Sequence, residues 1–139
     1  MSNAPALADG LAVLRLSLHV LAACIWVGGQ FTMAGLVPVA RGLGDEAPAR
    51  LARAFGRLSW PAFWVLVATG FWNFVAVHPT DAPGSWHLAF DIKMATVALA
   101  GWSAWRHTKA TTPSARGAWA GLGALASLVA MVLGVALAG

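Results

Sequence analysis

Charge is scarce in this sequence. Asp, Glu, Lys and Arg together make up 10% of its 139 residues, against roughly 25% in ordinary globular domains. Apolar residues make up 59%. So few ions are too little to cover a water-soluble domain of this size. Cysteine is scarcer still. Cys24 stands alone, which excludes an intrachain disulfide and every cysteine-rich metal motif. Cys24 itself is expected to be a small packing residue inside a helix. Methionine forms no rich tract, and no stretch has the composition of a soluble domain.

What the chain has instead is apolar length. Four runs, about 11–37, 58–77, 86–106 and 117–138, carry the excess. Each is about 20 residues or longer, enough at 1.5 Å per residue to cross a hydrocarbon core about 30 Å thick. The sequence predicts an all-α integral membrane four-helix bundle, one domain over 1–139. The first run is read as a helix that stays, since SNAPALADG before it lacks the basic start of a signal peptide.

The net charge of +4 does not point to nucleic acid, because of where it falls. Arg41, Arg50, Arg53 and Arg57 lie between the first two runs. Arg106, Lys109 and Arg116 lie between the last two. The middle loop, AVHPTDAPGSWH, has no Lys or Arg. Basic residues concentrate on cytoplasmic loops. This predicts a multi-pass protein of the inner (plasma) membrane, with both termini and the middle loop outside. The lipid bilayer is its first partner, and the basic loops suit anionic headgroups.

Local signals refine the picture. Helix 1 is expected to end near Pro38. DEAPARLARAFGR, residues 45–57, reads as an amphipathic lead-in at the inner interface before helix 2. Pro61 falls near the start of that helix, where proline costs least, and His78-Pro79 ends it. Trp60, Trp86, Trp105 and Trp119 fall near helix ends, as aromatic belts do. Gly117 and Gly121, Ala120 and Ala124, and Ala130, Gly134 and Ala138 recur four apart. They permit close helix approach in the bundle or in a homo-oligomer.

Polar side chains at membrane depth carry the functional reading. Arg15, His19, Trp26 and Gln30 share one helical stripe, expected to face the bundle interior. By helical rise, His19 lies about 12 Å below the outer boundary. Helix 2 adds Thr69 and Asn73. Helix 3 adds His87 and Asp91, with Met94 close to their face and Lys93 about 200° round from Asp91. The outer half thus gathers Arg15, His19, Asn73, Asp91 and Lys93, with His78, Asp81 and His87 at the mouth. The inner half has little beyond Gln30. Intramembrane ionisable groups are costly and mark function.

A neutral imidazole binds copper, iron or zinc. His107 is about 20 Å or more too deep to partner His19. His87, Met94 and Lys93 are the second ligands within range. Arg15 and Lys93 have only Asp91 as an intramembrane neighbour of opposite sign. A cation left over would repel Cu⁺ and welcome a carboxylate such as a haem propionate.

LRLSLHVLAACIWVGGQF, with a Leu-His pair before Trp26, Gly28 and Gly29, resembles the first helix of the copper resistance protein D (CopD) membrane domain. FGRLSWPAFWVLVATGFWN, with Thr69 and Gly70, resembles its second helix. LAFDIKMATVALAGWSAWRH, with Lys93, resembles its third. The likeness covers about 100 residues and implies an inner-membrane protein of copper uptake or homeostasis, with His19 as a ligand and Lys93 as a second polar site. A more distant likeness is to the HemJ-type membrane protoporphyrinogen oxidases, which also place a histidine in the first helix and a lysine in a later one, and which handle haem or porphyrin.

Three readings follow. In the first, copper binds at an outer-half site around His19, with His87 and Met94 as further ligands. In the second, the protein holds haem b or a porphyrin for redox chemistry through His19, with Arg15 and Lys93 on the propionates. In the third, it is a ligand-free accessory subunit whose polar cluster, with Asn73, Asp91 and His78, ties helices together. Only the second makes the chain an enzyme.

Overall fold

The computed structural model describes residues 7–138, and the chain is helical almost throughout. Residues 1–6, which include most of the SNAPALADG tail, and Gly139 lie outside the described residues. The elements are α1 (Gly10–Ala23), a π turn (Cys24–Gly28), α2 (Gly29–Gly42), α3 (Ala47–Val77), a 3₁₀ turn (Pro79–Asp81), α4 (Gly84–Lys109) and α5 (Pro113–Ala138). α1, the π turn and α2 form one rod. The result is an all-α four-helix bundle, with no strand among the described residues.

Capping explains several ends. The Asp9 carboxylate accepts from the Ala12 amide at 2.9 Å, opening α1. The Thr112 hydroxyl accepts from the Ala115 amide at 3.2 Å, and Pro113 starts α5, where a missing N–H costs nothing. α4 ends with Arg106, His107 and Lys109, cations that suit the negative end of a helix dipole. α3 ends on His78, whose φ of 48° and ψ of 65° put it in the left-handed region. Its side chain is exposed.

Helix lengths depart from the sequence reading in two places. The first rod runs through Pro38 to Gly42, 33 residues in all. The expected lead-in of residues 45–57 is not a separate segment. It is the start of the 31-residue α3, and Pro61 therefore sits inside that helix. Helices of this length reach about 45–50 Å, longer than a hydrocarbon core of about 30 Å is thick.

The first rod, α3 and α5 are long and apolar enough to cross a membrane. α4 is not in that set, although four spans were expected. It is as long as α5 but carries His87, Asp91, Lys93, Arg106 and His107. It packs along α5 more closely than any other two helices pack, with Arg106 over the Trp119 ring at 5.2 Å.

The interior is built mostly from small residues. Ala22, Ala62, Ala100, Ala126, Ala130, Ser59, Ser103 and Ser127 are buried, which lets backbones approach closely. One aromatic knot fills the centre. Trp26 lies 4.7 Å from Phe63 and 5.8 Å from Trp60, centroid to centroid. Trp60, expected in an interfacial belt, belongs to this knot. Large apolar side chains face outward instead, with Phe71 69% and Val135 72% exposed. Such a surface is compatible with lipid.

Candidate functional site

α1 and α3 run antiparallel, and their contacts fix the register. Trp26 meets Phe63, and about two helical turns further along His19 meets Thr69 and Gly70. The Thr69 hydroxyl donates to the Val65 carbonyl at 2.6 Å. That short bond takes its one proton. Its contact with His19 Nδ1, at 2.8 Å, is then one it must accept. Nδ1 therefore carries the ring proton, and Nε2 keeps a free lone pair. A hydrogen bond on one ring nitrogen is how proteins orient an imidazole whose other nitrogen binds a metal. A Cβ on Gly70 would stand 3.5 Å from His19 Cε1, so glycine leaves the ring ordinary contact distance and no more.

α4 and α5 complete the layer. Lys93 extends across to α5, where its Nζ lies 3.1 Å from the position a Cβ on Gly134 would take. The lysine is within electrostatic reach of the His19 ring. One turn outward, Arg15 and Asn73 stand on the same faces as His19 and Thr69. Arg15 Nε, a donor, and Asn73 Oδ1, an acceptor, are both buried without a hydrogen-bond partner. Arg15, His19, Asn73 and Lys93 are each part-buried, so the layer is not sealed from its edge.

The other expected members stand elsewhere. Asp91, His87 and His78 are exposed, as is Met94. His87 meets the edge of Trp86 at 5.5 Å. Asp91 thus lies outside the part-buried layer, and the ligand set of His19, His87 and Met94 is not gathered inside the bundle. Among the described residues, no group of three or more His, Cys, Asp or Glu could hold a metal ion. Cys24, expected to be buried, is exposed. His107 donates from Nδ1 to the Arg116 carbonyl at 2.9 Å, while Arg116 Nη2 donates to the Ala110 carbonyl at 3.0 Å. It fastens the α4–α5 turn.

Two features were not foreseen. The π turn lies directly below His19 and buries Trp26 and Val27. Such turns recur at functional sites. Below it, the Ser127 hydroxyl accepts from Trp26 Nε1 at 3.0 Å and from Gln30 Nε2 at 3.2 Å. This polar tie fixes the π turn and α2 to α5. The sequence marked Trp26 and Gln30 as inward-facing but gave no reason to single out Ser127.

No protein-family profile, no curated protein and no solved structure matches the chain. The CopD and HemJ resemblances therefore rest on the quoted motifs alone, and the site has to be read from its own chemistry.

That chemistry can be weighed against each ligand. A copper site draws most of its donors from protein side chains, and the layer supplies one imidazole beside two cationic side chains. Haem brings four nitrogens of its own and asks the protein for an axial ligand. His19 Nε2 fits that role. Arg15, with its unpartnered Nε, and Lys93 suit carboxylates. A lone cysteine excludes the Cys-x-x-Cys-His attachment of c-type haem, so the haem would be held without covalent bonds.

Proposed function

We propose that this is a multi-pass protein of the inner (plasma) membrane, with both termini outside, that binds a b-type haem or a related metalloporphyrin in its outer-half polar layer. The supporting observation is the Thr69–His19 hydrogen bond, which leaves Nε2 as a free lone pair in the part-buried layer beside Arg15 and Lys93. His19 would be the residue that holds the haem iron. Arg15 and Lys93 would hold the propionates, and Thr69 would keep the imidazole in place. Bound haem would supply one-electron chemistry.

Copper homeostasis is the second reading. It is favoured by the CopD-like order of motifs, and by the same free nitrogen. It requires further donors from outside the layer, such as a second chain or a delivered ligand.

The two separate in one preparation. The protein is purified in mild detergent, and its absorption spectrum and metal content are recorded. A Soret band with stoichiometric iron supports haem. Stoichiometric copper without that band supports the second reading. Neither, after loading with hemin or with Cu⁺, leaves a ligand-free accessory subunit. Lys93→Met tests the propionate role, with a loss of about tenfold in haem affinity expected for one charge-assisted hydrogen bond. Unchanged affinity rejects that role.

A further inference from the structure

An open groove lies away from His19. A groove of about 560 Å³ separates the π turn and α2 from the first half of α3, with Cys24, Gly28, Thr32 and Leu36 on one wall and Phe55 and Leu58 on the other. A second hollow, about 420 Å³, continues from the shared residues Leu36 and Leu51 to Leu43 and Arg50. Cavities of this size are in the range that holds a small ligand.

We infer that this groove seats one acyl chain of an anionic phospholipid from the inner leaflet, with Arg50 at its phosphate. Three observations combine. The groove walls are apolar for about 18 Å, from the level of Cys24 to that of Leu36, roughly the depth of one leaflet's hydrocarbon. The polar end of the groove carries an arginine, and Arg41, Arg53 and Arg57 stand nearby in the sequence. Gly28 opens the upper end, since a Cβ there would meet nothing within 4 Å. Gly29, its neighbour, faces the Phe55 ring so closely that a Cβ would collide with it. One glycine lets the helices meet at the groove floor, and the other keeps the groove open. An arginine beside a phosphate forms a charge-assisted pair, and the inner leaflet is where anionic lipid is enriched. The inference rests on the bilayer orientation proposed above, and is independent of what His19 binds.

The test uses the full chain in nanodiscs of phosphatidylglycerol and phosphatidylethanolamine at one to three. After release into mild detergent, retained lipid is counted by native mass spectrometry. One phosphatidylglycerol per chain is expected. Arg50→Gln should lower that retention at least fivefold. Gly28→Leu, which fills the groove, should abolish it. Gly35→Leu is the control, because Gly35 also has open space at its Cβ but is not among the groove's lining residues. It should retain lipid as the parent does. Equal retention by all four proteins overturns the inference, as does equal loss in both leucine variants. A mass of two chains that Gly28→Leu returns to one would make the groove a contact between copies, and also overturns it. Lipid retention with no haem bound would sink the His19 reading alone.

Discussion

At the scale of single residues, the decisive pair is His19 and Thr69. A hydroxyl that has already given its proton to a backbone carbonyl can only accept, and that fixes which imidazole nitrogen is bare. Thr69→Val keeps the shape and removes the acceptor. Losing a partner of this kind typically costs 10–100-fold in metal affinity. We expect such a loss in haem affinity, with little change in melting temperature, both measurable on one detergent-solubilised preparation. His19 was legible in the sequence because an ionisable ring in an apolar run has few structural uses. Thr69 was legible as a polar residue at the right height. The bond between them was not, since it depends on the register of two helices 50 residues apart. Asp91 misled for a related reason. Helical spacing gives its angle relative to Lys93, but not which of the two faces inward. Lys93 turns towards Gly134, which leaves Asp91 exposed.

At the scale of elements, the π turn sets the geometry of the first rod. A π turn accommodates one residue more than an α-helical turn, so the faces above and below it stay in register only because the extra residue is absorbed there. Deleting Ile25 should close the turn and leave α1 and α2 facing as they do. Deleting Val20, outside the turn, rotates everything below it by about 100° and separates Trp26 and Gln30 from Ser127. Thermal melts in detergent should show a small shift for the first deletion and failure to fold for the second. Equal effects would mean that the turn has no such role. Apolar length alone located the first rod, but its extension through Pro38 was hidden. Proline reads as a stop in sequence, yet here the helix continues past it. Trp60 was misplaced for a similar reason. α3 begins at Ala47, well before the apolar run that starts at residue 58, so a tryptophan taken for a helix end lies well inside.

At the scale of the whole molecule, the bundle is inverted relative to a soluble protein, with small residues within and large apolar ones without. That much followed from composition, because so few charges leave no other way to finish the surface. The expected fourth span, α4, is not among the helices apolar enough to cross a membrane, since it carries His87, Asp91, Lys93, Arg106 and His107. The proposed orientation rests on the arginines. In a Cys24→Ser background, Thr80→Cys should react with an impermeant maleimide on intact cells, and Asp45→Cys only after lysis. The reverse pattern would turn the protein over and place His19 in the inner half. The central claim is that the His19 imidazole is an axial ligand, and the most direct measurement is a hemin titration of the purified protein followed by absorption. The expected result is a Soret band that saturates at one haem per chain and is lost in His19→Ala. No band on titration, or one that is unchanged in His19→Ala, would contradict it.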